Sequence, residues 1–230
     1  MERPYIICHM TVSLDGKVTG AFLKRPEAAT AAEIYYEINR DYRTDGANVF
    51  ACGRVTMEES FTGIWRPELS VFQGSGVSRE DHVADKDAGF FAVAFDRRGR
   101  LGWKDSRIQD EDPGYGESHI IEVLCENTPE AYCSYLRSIG VSYVFAGQEE
   151  MDLPLALKKI KTLFGIEKLL LERGGILNGT FQRQGVIDEL SLVVAAAEDQ
   201  PLFDGGCLEG YILREIRQYE DSILWMNYVK

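Results

Sequence analysis

Residues 169–190, LLLERGGILNGTFQRQGVIDEL, set two adjacent glycines between an apolar run and a helix-like stretch. Glycine has no Cβ, so backbone there approaches a ligand closely and takes dihedral angles closed to other residues. The first amides of a helix lack intrahelical acceptors, and its positive end favours phosphate. A strand–Gly-Gly–helix unit therefore suits the phosphates of a cofactor. A tight strand-to-helix turn also needs glycine for steric reasons alone, and on this feature the two readings stand level. The other reactive residues are dispersed. Cys8, Cys52, Cys125, Cys133 and Cys207 include no C-x-x-C pair. Cys8 and Cys52 sit in apolar runs, which reads as buried thiols in a reducing compartment, not as a disulfide or zinc framework. His9, His82 and His119 show no metal-binding spacing, so no metal is expected.

The net charge of −12 disfavours nucleic acid and anionic membranes as partners, since both are bound through basic surface. An anionic cofactor stays open, because a few local arginines or one helix N-terminus can hold phosphate in an acidic protein. With 230 residues, 45% of them apolar and 27% charged, the chain reads as a single domain over 1–230. The opening MERPYIICHM lacks a secretory pattern, and no run approaches the ~20 apolar residues that cross a bilayer. A soluble, cytoplasmic protein is expected.

The elements that would position this chemistry alternate. Apolar runs predict strands over 5–12, 47–52, 90–95, 119–124, 142–146, 168–171 and 189–196. Helices are expected over 26–42, with Ile34, Tyr35 and Ile38 as its apolar face, from Gly53 to Glu59, from a Thr128 cap to Ile139, over 153–164, and from Gly174-Gly175 to Gln184. In the third of these, Glu130 and Arg137 fall on the solvent side. Residues 61–89 lose periodicity over a length that favours a functional loop. Residues 210–229 alternate twice about Asp221-Ser222, as an antiparallel hairpin does. The expectation is α/β, with a mixed, mainly parallel sheet between helical layers. Among the aromatics, Trp65, Trp103 and Trp225 suit packing, with Trp65 the one candidate for stacking on a ring; Glu58-Glu59 reads as a solvated helix face.

The glycine segment resembles the E-G-G-G-x-L-N-G-x-[FL]-x-x-x-G-L-[VI]-D-E-L signature of the reductase domain in the bifunctional riboflavin-biosynthesis deaminase/reductase. Glu172, Gly174, Gly175, Leu177, Asn178, Gly179, Phe181, Gly185, Asp188, Glu189 and Leu190 match in spacing, and Arg173 replaces a small residue. Ser13 to Lys17 reproduces S-L-D-G-K, residues 95–101 resemble x-D-S-x-G-x-L, and Gly53 with Thr56 matches G-x-x-T more weakly. The resemblance spans essentially the whole chain but includes no counterpart of the zinc-binding deaminase half.

The resemblance implies a dihydrofolate-reductase-like three-layer αβα fold, with a C-terminal antiparallel hairpin, that binds NADPH and forms a homodimer partly through its C-terminal strands. Residues 174–178 (Gly174, Gly175, Ile176, Leu177 and Asn178) would hold the pyrophosphate, with a cis peptide between the two glycines. Gly53, Thr56 and the backbone near Val12 would line the nicotinamide side. Arg97 and Arg98 are candidates for an adenosine 2′-phosphate, against the equal alternative of solvated turn residues. Lys17 and Glu172 would face the substrate and help deliver the proton that accompanies hydride transfer to a C=N or C=O carbon. Asp15 would line the substrate side or build the turn with Gly16. Ser60 stands where the family has an acid, which argues against the authentic phosphoribosylaminouracil substrate and for another small heterocyclic (pyrimidine- or pterin-like) or carbonyl substrate, and Arg66 lies beside the position of a phosphate-contacting arginine. Two other functions compete. A dihydrofolate reductase would need Glu27 or Glu33 as a buried carboxylate, and a non-catalytic nucleotide-binding module would keep the fold without turnover.

Overall fold

A computed structural model describes residues 2–197, 212–219 and 223–229. Nine strands and five helices run through them, as β1 (Tyr5–Ser13), α1 (Pro26–Thr44), β2 (Val49–Gly53), α2 (Arg54–Met57), β3 (Phe91–Phe95), β4 (His119–Leu124), α3 (Glu130–Ser138), β5 (Ser142–Phe145), α4 (Leu153–Phe164), β6 (Lys168–Glu172), α5 (Gly175–Arg183), β7 (Glu189–Ala195), β8 (Ile212–Tyr219) and β9 (Ile223–Val229). Seven strands form one sheet in the order β5-β4-β3-β2-β6-β1-β7. The pairs from β5 through to β1 are parallel. Every residue of β3 and β4 is buried, so the run of apolar residues reflects a sheet covered on both faces.

The hairpin is present, but β8 and β9 pair antiparallel in a sheet of their own, so they do not make the main sheet mixed. The turn at Asp221-Ser222 and Cys207 lie outside the described residues. By contacts the chain divides into two compact units, Met1–Met10 with Glu33–Val193, and Thr11–Ala32 with Val194–Lys230. No helix among the described residues is long and apolar enough to cross a membrane.

Several local expectations change. The buried stripe of α1 is Ala28, Ala31, Tyr35, Asn39 and Arg43, whereas Ile34 is 45% exposed. Spacings of three and four residues set that face, and at its C-terminal end it turns polar. Thr128 does not cap α3: Pro129 holds that position without a capping side chain, and the Thr128 hydroxyl donates to the Arg97 carbonyl at 3.4 Å. By contrast α4 starts where the Asp152 carboxylate accepts the Leu155 amide at 3.0 Å, and it stops at Gly165, φ 68°.

Residues 61–89 are mostly a strap. Glu130 of α3 accepts from the Ser75 hydroxyl and the Val77 amide, and Arg137 donates to the Ser78 carbonyl, so these two residues hold the strap and do not simply face solvent. Farther along, His82 and Tyr143 exchange backbone bonds, and Asp81 pairs with Lys159 at 2.9 Å. Cys8, Cys52, Cys125 and Cys133 are free and buried.

Candidate active site

The parallel strands β2 and β6 end side by side, and a ligand site in such a sheet lies beyond the carboxyl ends of its strands. The last residue of β6 is Glu172, only 1% exposed. Tyr115 donates its hydroxyl to Glu172 Oε2 at 2.8 Å, Asn39 Nδ2 of α1 donates to Oε1, and Cys52 Sγ donates to the Glu172 carbonyl at 3.0 Å. Burial pushes the Glu172 carboxyl above the usual carboxylate range; the Tyr115 hydroxyl and the Arg43 and Arg173 guanidinium groups pull it back. Burial also pushes up the Tyr115 phenol and the Cys52 thiol, and the charge of Glu172 adds to both.

After Glu172 the chain bends sharply. Arg173 has φ 48° and Gly174 φ 97°, and α5 begins at Gly175. The expected cis peptide is absent: two successive residues with positive φ make the bend with trans bonds. Gly174 is the N-cap of α5, no side chain caps that end, and the first helical bond runs from the Asn178 amide to the Gly174 carbonyl at 3.1 Å. By position, the amides of Gly175, Ile176 and Leu177 have no acceptor within the helix. Ile176 is 86% exposed. A Cβ on Gly174 would lie 3.4 Å from Thr56 Oγ1, and one on Gly53 would lie 3.7 Å from Leu177 Cβ. The bend therefore brings together Gly53, Thr56, Gly174 and Leu177. Asn178 turns inward, its Nδ2 3.2 Å from Met10 Sδ.

Beside this bend, wholly within the first unit, is a cavity of about 110 Å³. Glu172, Thr56 and Ser60 line it, together with Arg173, Tyr36, Phe50, Cys52, Phe61, Asp110, Asp112 and Tyr115. Arg173 donates to the Tyr36 hydroxyl at 2.9 Å.

The remaining expected residues are elsewhere. Arg66 pairs with Glu58, which also holds Arg54, so neither Arg66 nor that acid is a simple solvated group. Arg97 pairs with Glu150, and Arg98 is exposed beside it. Trp65 stands outside the cavity lining, 5.7 Å from Lys104 Nζ, while Trp103 is buried on Glu122. Neither Glu27 nor Glu33 is buried, so neither is the buried carboxylate expected of a folate site.

Val12, Asp15 and Lys17 belong to the second unit. There the Ser13 hydroxyl donates to Asp15 Oδ1 at 2.6 Å and accepts the Lys17 amide at 2.9 Å, while Gly16 takes φ 77°. Asp15 is thus a turn builder in S-L-D-G-K.

Residues 115–217 match the family of the RibD C-terminal domain. Over that stretch the chain is similar to the RibD reductase domain. The 2,5-diamino-6-ribosylamino-4(3H)-pyrimidinone 5′-phosphate reductase of Aquifex aeolicus is 28% identical over 221 residues, covering 92% of this chain and 86% of that protein. The reductase of the same name from Methanothermobacter thermautotrophicus is 24% identical over 204 residues, covering 89% and 81%. Among solved structures, a pyrimidine reductase-like protein of Corynebacterium diphtheriae superposes with a TM-score of 0.55 at 16% identity, covering 98% of this chain and 91% of that one. RibD of Acinetobacter baumannii gives 0.51 at 18% identity. The chain spans 58% of the Acinetobacter protein's length. These structural likenesses show the fold.

Asn39, Arg43, Tyr36, Asp110, Asp112 and Tyr115 were not singled out by sequence reasoning. A signal existed for Asn39 and Arg43, which continue the spacing of Ala31 and Tyr35 along a buried stripe where a polar residue needs a polar partner. Tyr115 gave none: it sits in an aperiodic polar stretch, 57 residues from the carboxylate it meets.

Proposed function

We propose that this chain is an NADPH-dependent reductase, working as one reductase domain, that delivers a hydride to a C=N or C=O carbon of a pyrimidine carrying a ribosyl phosphate, as its relatives' names describe for them. The observation that carries the reading is the buried carboxyl of Glu172 at a cavity whose next two residues form an uncapped, glycine-built helix start. The residues fit the cofactor: Gly174 keeps backbone open beside Thr56, and the amides of Gly175 to Leu177, at a helix start with no side-chain cap, suit a diphosphate.

When bound, the nicotinamide supplies the hydride. Glu172, held toward its neutral form by burial, gives the proton that the substrate's nitrogen or oxygen needs as charge builds there. Gly53, beside Leu177, serves the nicotinamide side. Arg97 and Arg98 select the 2′-phosphate of NADPH over NADH. Ser60, at the cavity wall, meets the substrate where the family has an acid. Exposed Leu190 and Leu192 on the edge strand β7, and exposed Ile212 and Ile216 on β8, support a homodimer through C-terminal strands. A cytoplasmic location goes with this metabolic role.

The test is NADPH oxidation with the pyrimidinone 5′-phosphate and, separately, with its aminouracil counterpart. Turnover of either supports the reading. NADPH binding with no oxidation by any pyrimidine phosphate would leave a nucleotide-binding module in its place.

A further inference from the structure

The residue that completes the Glu172 site comes from outside every motif in the chain. Tyr115 is 8% exposed, and its ring already has apolar partners: Phe50 at 4.9 Å and Phe61 at 5.7 Å between centroids, with Tyr36 edge-on at 6.0 Å. Packing alone would be satisfied by phenylalanine. The hydroxyl instead lies 2.8 Å from Glu172 Oε2, while Asn39 holds Oε1, so both oxygens of the carboxyl are fixed.

The loop that carries Tyr115 is built to hold this position. The Asp112 carboxylate accepts the Gly114 amide at 2.6 Å, and its carbonyl accepts the Tyr115 and Gly116 amides at 2.9 and 2.8 Å. Asp110 Oδ1 accepts the Asp112 amide at 2.8 Å, and any Cβ on Gly116 would strike the Asp110 carbonyl. From α1, buried Arg43 donates to the Pro113 carbonyl at 3.2 Å.

We infer that Tyr115 is a positioning residue for reduction: its hydroxyl fixes the Glu172 carboxyl for proton delivery to the substrate. The inference rests on the reductase reading above. As the hydride joins the substrate carbon, the π pair of the C=N or C=O bond moves to the nitrogen or oxygen, which takes the proton from Glu172. The reduced nicotinamide would supply the hydride, losing a C–H bond and being oxidised as a C–H bond forms on the substrate; for the proton, O–H on Glu172 breaks, N–H or O–H on the product forms, and Glu172 is left as a carboxylate. Tyr115 and Asn39 both donate to that carboxylate until water returns a proton, and Tyr115 itself is not consumed.

Five titratable groups act on the Glu172 carboxyl, Tyr35 and Arg43 from α1, Cys52 from β2, Tyr115 from the loop, and Arg173, and His9 is its register partner on β1. Of the two tyrosines, Tyr115 bonds the carboxyl at 2.8 Å, whereas the Tyr35 hydroxyl has no hydrogen-bond partner among the described residues, so Tyr115→Phe removes the bonded donor and keeps the ring. The Tyr115 bond holds the Glu172 carboxyl down, so Tyr115→Phe moves that group further up.

The experiment is the pH profile of kcat for the full chain, Tyr115→Phe, Glu172→Gln, and a chain with 3-fluorotyrosine at 115. Tyr115→Phe is expected to lower kcat about 10- to 100-fold, the worth of one hydrogen bond to a charged group, with KM for NADPH within about twofold. The fall in rate on the alkaline side, where Glu172 loses its proton, moves to higher pH in Tyr115→Phe and to lower pH with fluorotyrosine, a stronger donor. Glu172→Gln abolishes that limb. An alkaline limb unmoved by both changes at Tyr115 overturns the inference, whatever happens to kcat. If Tyr115→Phe fails to fold, the fluorotyrosine shift alone decides. A Glu172→Gln enzyme that keeps both rate and limb would instead overturn the role of Glu172 in the reductase reading.

Discussion

Replacing Gly174 with alanine separates the backbone cost of the bend from its proposed use. Gly174 has φ 97°, and the new Cβ would rest 3.4 Å from Thr56 Oγ1, an ordinary contact. The cost to the fold is therefore the dihedral strain, about 1–2 kcal/mol for an L-residue at positive φ. In a chain of this length each kcal/mol moves Tm by about 2–4 °C, so a loss of about 2–8 °C is expected. The methyl group also faces the Thr56 side of the cavity, where the cofactor's backbone contact is proposed, and a tenfold rise in Kd is expected, about 1.4 kcal/mol. At a cofactor concentration of about 100 Kd the parent gains about 2.7 kcal/mol on binding, and the variant would gain about half of that. Gly165→Ala is the control. That residue has φ 68°, nothing lies within 4 Å of its added Cβ, and it ends α4, outside the cavity lining. It should lower Tm by about the same amount and leave the NADPH-induced shift whole. Thermal unfolding of the three proteins with and without NADPH gives both numbers. An NADPH shift equal in Gly174→Ala and the parent would refute the assignment of the bend to the cofactor.

Other outcomes are as definite. Glu122 is fully buried, with Tyr132 and Trp103 donating to Oε1 and nothing bonded to Oε2, and burial pushes its carboxyl well above the usual range. A folded value above the unfolded one means that its contribution is complete below the ordinary glutamate value and is lost as pH rises through the folded value. Glu122→Gln should thus be no more stable than the parent in acid, where its buried amide donor costs about 1–3 kcal/mol, and should gain on the parent by up to about 1.36 kcal/mol per pH unit above the ordinary value. Parallel unfolding free energies across pH would contradict this. Changing Arg97 and Arg98 together to alanine should cut the NADPH-over-NADH ratio of kcat/KM by about tenfold or more, with little loss of stability because the Arg97–Glu150 pair is exposed; an unchanged ratio makes them turn residues only. Leu190→Glu with Leu192→Glu should turn a dimer into a monomer in sedimentation, and a parent already monomeric would contradict the proposed assembly.

Much of the architecture was legible because the strands of a parallel sheet covered on both faces read as unbroken apolar runs. PEAATAAEIYYEINRDY and LPLALKKIKTLF likewise carry helical spacing that burial respects. The glycine bend was legible as a motif, though not its mechanics. Nothing local says that Arg173 takes a positive φ beside Gly174, and it is this pair that makes the turn with trans bonds. Ile34 and Ile38 point to a different face of α1 from the buried one, which carries Asn39 and Arg43, polar residues that are buried where Glu172 and the 110–116 loop need them. The strap over 61–89 hid its bonding in scattered side-chain and backbone contacts with α3 and β5, which leave no period. Tyr115 was invisible for the same reason. Its role depends on a contact across the fold, and a polar loop tells only that it is a loop.

A crystal of this chain grown with excess NADPH tests the central claim most directly. The account expects the diphosphate oxygens within hydrogen-bonding distance of the Gly175, Ile176 and Leu177 amides, with the nicotinamide turned toward the cavity of Glu172. A nucleotide seated elsewhere, with those amides facing only solvent, would contradict it.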